Sequence, residues 1–153
     1  MAFIRCESGG GGGVITSKTP LWNNPSPNES FSAQDVQLSQ PFTNFALIGV
    51  TYKTQVNEVE TYDVIMFSSD FLKTHRVKPA GAGTQWNTAN LSFMDVYGTA
   101  STSTTYARTI RRANNTDEVS VKITNCGKVV TSDSATGSTV NTRCIPVQIF
   151  GVG

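Results

Sequence analysis

Along this chain, short runs that are apolar at every second position, or at every position, alternate with clusters of turn-forming residues. Apolar residues spaced three and four apart are almost absent, so strands rather than helices are the predicted elements. The segment EVSVKITN (118–125) is the clearest case. Val119, Val121 and Ile123 fall on one side, and Ser120, Lys122 and Thr124 on the other, which predicts a strand with one buried and one wet face. FALIGVTY (45–52) is apolar on both faces and predicts a central strand; TYDVIMF (61–67) reads the same way. LSFMDVYG (91–98) sets Leu91, Phe93 and Tyr97 on one face and Met94 and Val96 on the other. YARTIRR (106–112) puts Arg108 and Arg112 on the face of Ile110 and Arg111 opposite. CIPVQIFGVG closes the chain with Ile145, Val147 and Ile149 pointing inward. Proline donates no ladder hydrogen bond, so Pro146 predicts that this last segment is an edge strand. Weaker strands are expected over 3–5, 14–16 and 33–38. SSDFLKTHR (68–76) predicts a single helical turn capped by Ser69 or Asp70.

About eight such runs, ten to fifteen residues apart, predict an all-β fold: an antiparallel β-sandwich of jelly-roll-like form. The 153 residues suit one domain. Five consecutive glycines at 9–13 divide a short apolar start from the rest. They predict a flexible hinge, hence an extended N-terminal arm over 1–20 and a sandwich domain over 21–153.

Composition narrows the function. Charged residues are 15% of the chain, while Ser, Thr and Asn supply about 30%, a balance that suits strands and turns. The net charge of +1 leaves no electrostatic footprint for nucleic acid and no polybasic segment for a membrane surface. No apolar run approaches a membrane span, and the start lacks the apolar core of a secretory signal. Synthesis in a cytoplasm is the expectation.

Catalytic equipment is sparse, and the chain does not read as an enzyme. The one histidine, His75, sits between basic neighbours in KTHRVK and reads as a surface residue. There is no nucleophile elbow and no P-loop. The pentaglycine lacks the Lys-Ser/Thr that would follow a phosphate cradle. The acid pairs Glu58/Glu60 and Asp117/Glu118 read as solvated loop residues. Cys6, Cys126 and Cys144 lack CxxC spacing and read as reduced thiols rather than a disulfide framework or a zinc site. No cofactor and no metal are expected.

The aromatic and basic residues give the remaining candidates. Trp86 lies in the Gly/Asn-rich stretch AGAGTQWNTAN, where it either stacks on a sugar ring or anchors the loop to the body. Trp22 is expected where the arm meets the body. Arg108, Arg111 and Arg112 either meet acidic partners across an interface or form a solvated strand face.

The segments LWNNPSPNESFSAQDVQL and CIPVQIFGVG resemble a family of small structural proteins of tailed bacteriophages and prophages. In that family a Leu-Trp-x-Asn-Pro-x-Pro segment leads to Phe-x-Ala-Gln-x-Val-x-Leu, and the chain ends in Ile-Pro-x-x-Ile-x-Gly. The matching residues are Leu21, Trp22, Asn24, Pro25, Pro27, Phe31, Ala33, Gln34, Val36, Leu38, Ile145, Pro146, Ile149 and Gly151. Together the two motifs cover about a quarter of the chain. The resemblance implies a small β-sandwich, a homo-oligomer (most often a trimer) and a place in the virion at the tail or fibre tip. Its partners would be copies of itself, other virion proteins and a host surface glycan. Phe3, Ile4, Val14 and Ile15 would then be docking residues, with Trp22 at the arm's root. A capsid decoration protein or baseplate joint is the alternative.

Overall fold

The computed structural model describes residues 17–56, 62–73, 91–99, 102–113, 117–129 and 138–153. The described residues form nine strands: β1 (Lys18–Asn23), β2 (Gln34–Gln37), β3 (Leu47–Gln55), β4 (Tyr62–Ser68), β5 (Leu91–Thr99), β6 (Thr102–Arg112), β7 (Ser120–Ile123), β8 (Gly127–Val129) and β9 (Arg143–Val152). The one α-helix among them, α1 (Ser69–Lys73), is a single turn. All pairings are antiparallel. One sheet runs in the order β1-β9-β3-β4, and the other β2-β7-β6-β5. β8 pairs with β6 beyond the end of β7.

Both sheets contribute to one core. Leu21, Ile48, Val50, Tyr52, Phe67, Ile145 and Ile149 come from the first sheet; Val36, Ile110, Val121 and Ile123 come from the second. The alternation in β7 follows its sequence, with Val121 and Ile123 buried between more exposed Ser120 and Lys122. β3 is central, flanked by β9 and β4, and Ile48, Gly49 and Val50 are buried on both faces.

Two strands sit differently from their sequence patterns. β9 is interior, with β1 on one side and β3 on the other, rather than at an edge. Pro146 is tolerated because β1 has already ended. The last β1–β9 pair is Asn23 with Gln148. The Pro146 carbonyl accepts a 2.8 Å hydrogen bond from Asn24 Nδ2, so its missing N–H faces the same side, beyond β1, where no ladder acceptor waits. A register shift in β9 leaves Val147 without a β3 partner, because Thr51 pairs with Gln148 and Tyr52 with Pro146. This bulge breaks the inward alternation, so Ile145, Pro146 and Ile149 are all buried while Val147 is not. β4, conversely, is at the edge of its sheet among the described residues rather than central. α1 is capped by Ser68, whose hydroxyl accepts the Asp70 N–H, one residue before the expected caps.

Two glycines are fixed by rings lying across them. A Cβ on Gly49 would stand 2.1 Å from Phe150 Cζ, and one on Gly151 would stand 2.3 Å from Phe45 Cγ. The glycine that ends the C-terminal motif is thus required by close packing of Phe45.

Candidate functional site

The two motif segments lie far apart in sequence and meet in space. β1 carries Leu21 and Trp22; β9 carries Ile145, Pro146, Ile149 and Gly151; and the two strands pair, with Trp22 opposite Ile149. Asn24 closes the junction. Its N–H donates to the Val147 carbonyl at 2.9 Å, its Nδ2 donates to Pro146, and its Oδ1 accepts the Ser26 N–H at 2.9 Å. That last bond is an Asx turn, which suits the Pro25–Pro27 stretch because proline supplies no competing donor. The chain then turns inward at Phe31, which is buried and meets the Trp22 ring edge-on, centroids 6.1 Å apart. Val36 and Leu38 complete the segment in the core. Trp22 is therefore half-buried on β1, packed against the core.

Beneath Phe31 lies Arg108, wholly buried, its guanidinium 5.1 Å from the ring centroid. It occupies the gap between the two strands that share one side of β6. β7 pairs with Ile110, Arg111 and Arg112, while β8 pairs with Thr105, Tyr106 and Ala107. In that gap Nη1 donates to the Thr124 carbonyl at 2.5 Å. Nε donates to the Cys144 carbonyl at 2.8 Å and Nη2 to the Arg143 carbonyl at 3.2 Å. The start of β9 is irregular here, since Cys144 has a φ of 49°, in the left-handed region rarely used by non-glycine residues. A single guanidinium thus donates to three carbonyls where the pairing along β6 is interrupted and β9 begins. Burial lowers its pKa to about 10, opposed by the nearby Cys126 and Cys144 thiols, whose ionisation would hold the proton more tightly. Arg108 stays charged at neutral pH. Both cysteines are buried.

Arg108 is thus an internal brace with no surface to present to a ligand. The alternation that put it on the Ile110 face was right, and burial is the consequence. Arg112, on the same face, is half-buried; its Nε donates to the Asp117 carbonyl at 2.9 Å, and its guanidinium lies 5.8 Å from the Phe42 ring centroid. Arg111 faces away from both. The acid pair Asp117/Glu118 is structural too: Asp117 Oδ1 accepts the N–H groups of Val119 and Ser120, and Glu118 accepts the Thr43 hydroxyl. Phe3, Ile4, Val14, Ile15, Cys6, Glu58, Glu60, His75 and Trp86 lie outside the described residues.

A surface that sequence reasoning missed lies on β4. Register places Tyr62, Val64 and Met66 beside Lys53, Thr51 and Gly49 on the outward face of the first sheet. They are 47%, 54% and 45% exposed, and Phe71 on α1 is 37% exposed. Apolar composition had suggested cover on both sides; the signal that could have found this row is Asp63, a charge in a strand otherwise reading as interior. Lys53 is buried, donating to Asn28 Oδ1, with its ammonium 5.8 Å from the Tyr62 ring centroid. The described residues bring together no group of three or more His, Cys, Asp or Glu able to hold a metal ion. No described helix is long and apolar enough to cross a membrane.

Comparison of the chain with protein-family models, curated proteins and solved structures gives no match.

Proposed function

We propose that this chain is a structural protein of a tailed-bacteriophage virion: a jelly-roll-like β-sandwich that docks into the tail or fibre tip through its N-terminal arm. The observation that carries the reading is the pairing of β1 with β9. The two segments that resemble the virion family form one structural unit at the arm's root, where Trp22, Asn24, Pro146 and Gly151 each have a specific packing or hydrogen-bonding duty. Residues so constrained by one another are what a shared body plan requires.

In this reading Phe3, Ile4, Val14 and Ile15 engage neighbouring subunits, and the pentaglycine lets the arm leave the body at the angle the assembly needs. The protein is a homotrimer, made in the bacterial host cytoplasm and carried in the virion. Polar Ser/Thr/Asn-rich loops and Trp86 contact host surface glycan, with weak sites multiplied by the symmetry of the particle. The exposed apolar row of β4 favours a second reading, a capsid decoration protein or baseplate joint, because such a row suits protein contact better than sugar contact.

Deleting residues 1–13 tests the docking role. The truncated protein should still fold and fail to enter particles. Normal incorporation would overturn the role given to the arm.

A further inference from the structure

We infer that the open edge of β4 receives residues 1–6 of a second copy of this chain as an added antiparallel strand. This rests on the docking-arm reading above and names the surface that takes the arm.

β4 ends its sheet, and among the described residues no strand pairs with its outer side. Such an edge offers a row of backbone donors and acceptors to any incoming strand. Its side chains are apolar in both directions. Tyr62, Val64 and Met66 point outward, while Ile65 and Phe67 point to the core. The exception is Asp63, which is exposed. A fitting partner therefore needs apolar residues on both faces and a cation where it passes Asp63.

The start MAFIRC meets this requirement. Run antiparallel with Arg5 opposite Asp63, it sets Phe3 opposite Ile65 and Met1 opposite Phe67 on one face. The other face then pairs Ile4 with Val64, flanked by Cys6 at Tyr62 and Ala2 at Met66. Opposite charges and apolar pairs directly across strands are the combinations that stabilise a sheet. The parallel alternative with the same ion pair would put Glu7 and Gly9 against Ile65 and Phe67, which matches neither in polarity nor in size.

Geometry favours a neighbour over the chain's own β4. The arm leaves from Lys18 on β1, at the opposite edge of the same sheet, about 14 Å from β4 at ordinary strand spacing. To pair with its own β4 the arm would have to cross the outer face, where the Lys18 ammonium already lies 4.0 Å from the Phe150 ring centroid. The eleven residues 7–17, at no more than about 3.3–3.6 Å each, supply chain enough to step outward to an adjacent copy. Donor and acceptor edges on opposite sides make a head-to-tail contact, which closes into a ring when the rotation allows.

The test uses purified full-length protein. Tyr62→Cys, with native Cys6, is oxidised mildly and run without reductant. The expected result is a ladder of covalent multimers that vanishes when Cys6→Ser is added. A link confined to single chains, or no link, overturns the inference. Native mass measurement at micromolar concentration gives an independent arm: R5E or D63R should weaken self-association severalfold, and R5E/D63R together should restore it. Unchanged association in D63R also overturns the inference. Because both readouts concern self-association in solution, their failure is separable from absence of the protein from virions, which would instead fail the proposed function.

Discussion

Replacing Arg108 with methionine keeps a long, unbranched side chain and removes both charge and donors. Three carbonyl oxygens, on Thr124, Arg143 and Cys144, lose a hydrogen bond from the guanidinium. Each hydrogen bond to a charged group contributes about 1.5–3 kcal/mol. Against this, the substitution removes the burden of a buried cation. Lowering the pKa from its ordinary value to about 10 corresponds to roughly 3 kcal/mol. Three such bonds outweigh that burden by about 1.5–6 kcal/mol, centred on about 3–4 kcal/mol, and Arg108→Lys should cost nearly as much because one ammonium cannot span three carbonyls. Urea unfolding measures this directly. With a slope of roughly 1–3 kcal/mol per molar, the midpoint should fall by about 1–2 M at unchanged slope. The pH dependence has a defined sign. The folded-state pKa is the lower one, so for this group the folded protein binds fewer protons than the unfolded chain only from about pH 10 up to the ordinary arginine range. This group's contribution therefore improves as pH rises through that window and is flat below it. The gap between wild type and R108M should accordingly be constant from pH 5 to 8. An R108M midpoint within 0.2 M of wild type (about the error of the fit) would refute the brace.

Gly151→Ala should destabilise by about 1–3 kcal/mol through displacement of Phe45, and Phe45→Leu in the same chain should recover part of the melting temperature. Thr51→Val should raise stability by about 1 kcal/mol in the same urea assay, because the Thr51 hydroxyl is buried without a hydrogen-bond partner. Trp86→Ala should reduce binding to host cells with little change in melting temperature if the ring stacks on sugar; a large drop in melting temperature would identify a packing anchor instead.

What could be read from the sequence was periodic and local. The two-faced apolar run at 45–52 became the central β3, and the alternation of 118–125 became β7. What could not be read depended on which strands become neighbours. TYDVIMF resembles a central strand by composition, yet no described strand follows it in the sheet. Pro146 looked like an edge marker because a local rule cannot see that β1 stops short of it or that Asn24, 122 positions away, serves its carbonyl. Arg108 was placed on the correct face, but its burial is explained only by carbonyls of Thr124, Arg143 and Cys144, brought in by β9 and the break after β7. The motif residues were legible as a set; their common purpose emerged only when the two ends of the chain paired.

Gold-labelled antibody microscopy on purified virions tests the central claim most directly. Label at the tail end is the predicted result, and label over the head would shift the assignment to capsid decoration. Absence of the protein from particles, checked after denaturing them, would contradict the virion role altogether.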